Sequence, residues 1–411
     1  MATAYKIHVS KTNTGLLKFD QPEATAAKTT ELLQSDLENH HVFFNQSGYH
    51  NHIVHHLLAL YGTGASPDSL NRAYETNTSY QRAARPIHPA LADSLATSWS
   101  ETAPRLLGKE AYYPDFLLFF QRELESHGIG PVLKEFIFAK DERAEDLFQR
   151  LFAGFLHPLI QLMYGIEWEQ PAIVAEGLAQ AAVHKNQLGP FLKETEEGAA
   201  GEMPSIQELH EAIAKRVKIK TDELGERTAE MFETTFWVAA GAALRKGKDA
   251  KWDFFLIHHT NSAPFFVALN KTDWISVEDK VRILEYKIRL DLVQNAARGT
   301  PEIRFDAIAA YRPKDLDRGK ALVARPEDLL PRFHAIDDDG HTVKVARSLA
   351  VCRELCEPYA DRPWKKVKSD DVWLKMHYTL LDGTEGGEEE GGRWVRAAGF
   401  DESWEDVPNR L

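Results

Sequence analysis

Four histidines fall within seven residues in the stretch His50-Asn51-His52-Ile53-Val54-His55-His56. The run predicts a helix that continues to Leu60. Residues four apart share a helical face, so His52 and His56 project together. Ile53, Val54, Leu57, Leu58 and Leu60 surround them, which predicts burial. Imidazoles gathered among aliphatic side chains suit a transition metal. The plainer alternative is a few core histidines satisfied by hydrogen bonds, because a buried imidazole needs a partner.

Other histidines stand in equally apolar surroundings. His157 sits in Phe155-Leu156-His157-Pro158-Leu159-Ile160. Pro158 removes a backbone donor and frees a carbonyl one turn back, which predicts a kink. Either a functional histidine or a structural one bonded to that carbonyl satisfies the position. Glu176, Gln180 and His184 share one face at i, i+4 and i+8, among small residues that permit close helix packing. Read alone, His184 is equally a C-terminal histidine favoured by the helix dipole. His258 and His259 close an apolar segment, and His258 is the one expected to point inward. His341 and Lys344 share a face at the start of a helix preceded by Asp337, Asp338 and Asp339. Lys375 and His377 form a second Lys/His pair.

Several familiar sites are missing. The chain has no Gly-rich dinucleotide fingerprint, no phosphate-binding Gly-Lys-Ser/Thr, no Gly-x-Ser-x-Gly and no His-Glu-x-x-His. No carboxylate stands near the histidines in an obvious His-x-Asp/Glu pattern, so a two-His-one-carboxylate iron triad is not visible.

The elements that must position these residues read as helices. Ser66-Pro67-Asp68 is an N-cap followed by proline in the first turn. Ser276 caps a helix whose apolar stripe runs through Val277, Val281, Leu284, Ile288 and Leu292, and which Gly299 and Pro301 stop. Strand signals are weak, so the expected fold is all-α. The expected organisation is one multi-helical domain over 1–411, with a buried metal site between helices. The acidic, glycine-rich segments 194–203 and 383–392 are expected to be flexible surface loops. Aromatic groups at Tyr112, Tyr113, Phe116, Phe119 and Phe120, at Phe236 and Trp237, and at Phe265 and Phe266 suit a core, or the wall of a pocket for a planar polycyclic ligand.

Composition narrows the function. With 411 residues, 43% hydrophobic and 27% charged, the chain is an ordinary globular protein. A formal net charge of −13 argues against nucleic acid. No apolar run is long enough to span a bilayer, and the start of the chain lacks an apolar signal region, so a cytoplasmic location is expected. The two cysteines, Cys352 and Cys356, are spaced for neither a disulfide nor a redox motif.

The chain resembles the questin oxidase-like family of fungal secondary-metabolism oxygenases. The residues that carry the resemblance are His50-Asn51-His52-Ile53-Val54-His55-His56-Leu57-Leu58, Phe155-Leu156-His157-Pro158-Leu159-Ile160, Glu176 through His184, and Asp339-Gly340-His341-Thr342-Val343-Lys344. The resemblance implies an oxygenase that cleaves a ring of an anthraquinone-type polyketide by Baeyer–Villiger-like or dioxygenase chemistry. It implies a mononuclear non-haem Fe(II), dioxygen as co-substrate, and a carboxylated lysine as the anionic ligand. NADPH would act only as an external reductant, since the sequence shows no site for it. On this reading His56, His157, His184 and His258 are the expected metal ligands, with Lys344 as the carboxylated lysine and Lys375 as its alternative. His52 and His341 are expected as acid/base groups near the substrate, or as further ligands. One anionic ligand would reduce the cost of placing a divalent cation among neutral imidazoles. Two other classes use the same features: a zinc-dependent hydrolase of an aromatic metabolite, and a non-catalytic helical protein that binds one.

Overall fold

The computed structural model describes residues 1–198, 217–387 and 392–410. The protein is all-α, with helices carrying most of the described chain. The described strands, Trp252–Asp253 and Trp394–Val395, pair in parallel over two residues each. The chain divides into two compact units.

The first unit comprises residues 1–194, 265–280 and 337–340. Its centre is the helix Pro171–Val183, which packs against Ala153–Glu167 and Tyr113–His127. Small residues allow the first of these approaches. A Cβ on Gly177 would lie 2.8 Å from the Leu162 backbone nitrogen, so only glycine fits. The expected cap at Ser66 is present: its hydroxyl accepts from the Ser69 N–H, and the helix Pro67–Thr78 follows. The aromatic group at 113–120 is mainly core. Phe116, Phe119 and Phe120 are buried, and Phe119 and Phe120 meet Phe136 edge-on.

The second unit comprises residues 195–264, 281–336 and 341–411. It contains the helices Leu224–Ala242, Leu256–Ser262, His341–Cys356 and Asp370–Thr384. The first three pack together, and Asp370–Thr384 lies against His341–Cys356. Cys352 and Cys356 are buried and reduced, their sulfurs 3.9 Å apart. The helix Val277–Ala297 starts at Ser276, whose hydroxyl accepts from the Asp279 N–H, and ends before Gly299 at φ +80°.

The two segments expected as loops are helical at their starts. Residues 194–197 close the helix Gly189–Glu197, and Gly383 and Thr384 close Asp370–Thr384. Residues 199–203 of the first segment and 388–391 of the second lie outside the described residues.

Candidate functional site

The His-rich run is only partly helical. The helix spans Ile53–Tyr61, and His52 is its N-cap residue. The Asn51 side-chain oxygen accepts from the Ile53 N–H, which starts the helix three residues later than the histidine spacing suggests. His50 lies before it, bridged to Phe43. His50 and His52 therefore leave the backbone in directions that a continuous helix would not give.

In the first unit these two meet histidines from distant segments. His50 Nε2 lies 2.7 Å from His184 Nε2, and His52 Nε2 lies 2.8 Å from His157 Nε2. The His50 and His157 rings stack, with centroids 3.9 Å apart, so the two facing pairs form one cluster. His52, His157 and His50 are buried, and burial with the nearby Arg150 guanidinium lowers the His184 pKa to about 4. A neutral His184 argues against the helix-dipole reading, which needs an imidazolium.

The other ring nitrogens are tied down. His52 Nδ1 lies 3.1 Å from the Asp339 carboxylate. His157 Nδ1 donates to the Gly154 carbonyl at 2.6 Å. Gly154 is four residues before Pro158, so this is the carbonyl that the missing proline N–H releases. The kink is real and local: Gly154, Phe155 and Leu156 all have positive φ, at 54°, 55° and 68°. Gly154 has a second reason to be glycine. A Cβ there would lie 2.5 Å from His184 Cε1 and 3.0 Å from His50 Cε1.

His56 faces elsewhere. Its Nδ1 lies 3.3 Å from the Asn77 amide nitrogen, and its Cβ lies under the left-handed Gly340. His55 Nε2 meets the Gln161 oxygen at 2.6 Å, and Gln161 donates to the buried Glu176 carboxyl at 2.9 Å. Burial, then the nearby Asp36 charge, pushes the Glu176 pKa up to about 8, so this acid carries its proton at neutral pH. Gln180, one turn before His184 and fully buried, has neither amide atom hydrogen-bonded among the described residues.

The second unit holds its own pair. His258 Nδ1 donates to the Phe254 carbonyl at 2.7 Å, and its Nε2 lies 3.3 Å from His341 Nε2. The Phe254 ring packs on both imidazoles. His259 turns the other way, onto the Asp291 carboxylate, which Lys287 also binds. Asn261, three residues after His258 and buried, has no hydrogen-bond partner on its amide among the described residues. Lys344 is buried on the helix that His341 begins. Lys375 is held differently, by Asp371 at 3.0 Å and the Ala309 carbonyl. His377 is a core histidine bonded to the Trp373 carbonyl, and burial lowers its pKa to about 4.

One rule thus covers His52, His157 and His258. Each offers Nδ1 to an oxygen and turns Nε2 toward another imidazole. A nitrogen–nitrogen contact of this length needs a shared proton or a shared cation. Fixing Nδ1 on an oxygen is how metal-ligating histidines are oriented. With buried amides left unbonded beside both pairs, the residues present fit a metal. Sequence reasoning missed two participants. The histidine run predicts His50 inside a helix that it does not join. Asp339 is 287 positions from His52, a separation that no local spacing can register.

The profile of the questin oxidase-like family matches residues 49–214 and 206–349. The chain is 31% identical to Baeyer–Villiger oxidase ptaJ of Pestalotiopsis fici, over 99% of each chain. It is 31% identical to a questin oxidase of Aspergillus fumigatus, over 94% of this chain and 95% of that one. It is 30% identical to oxidoreductase AflY of Aspergillus parasiticus, over 99% of this chain and 94% of the other. Likeness on this scale, spanning every histidine described above, leaves no place for a non-catalytic binding protein: the chain belongs to the questin oxidase-like family and is an oxidoreductase.

Proposed function

We propose that the protein is a non-haem iron-dependent oxygenase that uses dioxygen to cleave a ring of an anthraquinone-type polyketide in fungal secondary metabolism. The observation that carries this reading is the repeated Nδ1-anchored, Nε2-facing histidine. Chains of similar length and sequence named questin oxidase and Baeyer–Villiger oxidase support the substrate class and the chemistry.

In the first unit His50, His52, His157 and His184 are the residues that would hold a metal. In the second unit they are His258 and His341, with Lys344 as the carboxylated lysine. His56, whose Nδ1 lies 3.3 Å from the Asn77 amide nitrogen, would be a further ligand through Nε2. Bound iron would supply activation of dioxygen and a Lewis-acid contact for a quinone oxygen. The protein's own contribution is orientation. Asp339 and the Gly154 carbonyl fix which nitrogen of His52 and His157 faces inward, and Phe43 and Phe254 exclude water from the rings. NADPH, where needed, would act from outside. Lys344 must be neutral to take up carbon dioxide, and burial favours that form.

The test pairs metal analysis with oxygen dependence. Purified protein should carry iron, lose it in His52→Ala and His157→Ala, and convert a hydroxyanthraquinone only in air. Full activity without a transition metal would overturn the reading. Anaerobic turnover of the same substrate with zinc bound would replace it with a hydrolase.

A further inference from the structure

A cleft within the first unit is lined by two further histidines. One of them, His41, has its ring centroid 5.9 Å from that of Phe43, whose own centroid lies 5.1 and 5.2 Å from those of His50 and His184. His41 and its neighbour His40 line a cleft of about 240 Å³ that opens to solvent. Its walls include Leu37, Leu117 and Pro114, and Tyr5 and Ile87 stand exposed at 43% and 48%. Polar and charged side chains line it as well, at Gln34, Glu38, Arg85 and Gln121. The same two histidines and Tyr113 also border an inner cavity of about 10 Å³, enough for one water, beside Asp36 and Glu176.

The hydrogen bonds fix what the two imidazoles offer. His41 Nδ1 receives the Phe43 N–H at 3.1 Å and Arg82 Nη2 at 3.4 Å. The competing Phe43 carbonyl, 3.3 Å away, is already taken by Arg82 Nε at 2.7 Å. Nδ1 is therefore the acceptor, and the proton sits on Nε2. His41 is 1% exposed, and this Nε2–H has no acceptor among the described residues. Burial, then the Arg82 and Arg85 charges, lowers the His41 pKa to about 4, so the ring stays neutral. His40 is the complement. Its Nδ1 is engaged by the Asp36 carboxylate at 2.8 Å, which also accepts from Asn51. With Nδ1 on Asp36, Nε2 is the ring's other hydrogen-bonding atom.

A donor and an acceptor on adjacent residues of one cleft match a ligand that carries an acceptor beside a donor. We propose that this cleft binds a planar hydroxy-aryl ketone, whose carbonyl accepts from His41 Nε2–H and whose neighbouring phenol donates to His40 Nε2. The choice of ligand class rests on the substrate class proposed above; the site itself rests on the cleft and the unpartnered donor.

The experiment titrates the full-length protein with 1,8-dihydroxyanthraquinone, followed by the change in its visible absorption. Ala84→Trp plugs the cleft from an exposed position, and Ile87→Asp puts a charge on its apolar rim; each should weaken binding at least about tenfold. His41→Phe keeps the ring and removes the donor, and should erase the preference for the dihydroxy compound over unsubstituted anthraquinone. His52→Ala, which should abolish turnover, should leave cleft binding unchanged. That arm separates the two proposals: loss of turnover with retained, Ala84→Trp-sensitive binding supports the cleft whatever the metal proves to be. Wild-type affinity in both Ala84→Trp and Ile87→Asp, or no binding by the wild-type protein, would overturn it.

Discussion

Gly154→Ala adds one methyl group, and the structure says how much damage it does. Two costs arise. The first is conformational. At φ +54° an alanine sits in the left-handed region, at about 1–2 kcal/mol. The second is steric. The new Cβ would lie 2.5 Å from His184 Cε1 and 2.7 Å from its Nε2. Carbon atoms rest at roughly 3.5–4.0 Å, so the ring must retreat by about 1 Å. It has little room. His50 Nε2 stands 2.7 Å away on one side, and Phe43 meets the ring edge-on at 5.2 Å. Overpacking of this kind costs about 1–3 kcal/mol. Together the variant should lose about 2–5 kcal/mol, a fall in Tm of about 2–6 °C for a chain of 411 residues. If the facing histidines serve the chemistry, a displacement of about 1 Å should also lower kcat/KM on the order of 100-fold.

Phe155→Gly separates the two costs. It has the same left-handed backbone, at φ +55°, but its side chain is 44% exposed. Glycine there relieves strain without entering the histidine cluster, so activity and iron content should stay near wild type. Thermal melts, iron per chain and steady-state turnover on a hydroxyanthraquinone read out all three effects. Gly154→Ala with wild-type kcat/KM and iron content would refute the argument that this glycine exists to let two imidazoles meet. Equal losses in Gly154→Ala and Phe155→Gly would move the cause from the rings to the backbone.

Asp339→Asn should lower activity or iron affinity about 10- to 100-fold, because the amide holds His52 less firmly than the carboxylate does; iron titration of the variant checks this. His157→Ala strands the Gly154 carbonyl and should cost about 1–3 kcal/mol in chemical denaturation, beyond any loss of turnover. Glu176 holds its proton to about pH 8 in the folded state against an ordinary 4.5, so its burial makes stability fall as pH rises through that window; in Glu176→Gln the Tm should decline less between about pH 5 and 8.5 than in wild type. His41 and His377 are depressed to about 4 from 6.5, so the unfolded chain takes up protons first and stability should fall as pH drops from 6.5 toward 4. A shallower acid limb in His377→Leu, set against the wild-type slope, would show that residue's share.

What the sequence could disclose depended on how far each interaction reached along the chain. The Ser66 and Ser276 caps act over three residues, and both were legible from spacing. The Pro158 kink was legible because proline's effect is local. Its consequence, the bond from His157 to the Gly154 carbonyl, was one of two open readings, and the structure supplies it. The same bond then serves the other reading, since anchoring Nδ1 is what turns Nε2 toward His52. Structural and functional accounts of that histidine were posed as rivals, yet the geometry makes the first a condition of the second. The histidine helix failed in the opposite way. Periodicity rewarded a helix through 50–60, and the Asn51 side chain, a local competitor for the Ile53 N–H, ended it at 53. That small error hid His50, because a residue outside the helix obeys no face rule. The pairing with His184 spans 134 positions and the one with Asp339 spans 287. No carboxylate stands near these histidines in an obvious His-x-Asp/Glu pattern. One comes instead from the acidic run at the start of a later helix. A site assembled from segments so far apart is invisible to spacing, but each contributing segment still carries a local mark: a buried histidine, a proline beside it, or a glycine where a side chain would collide.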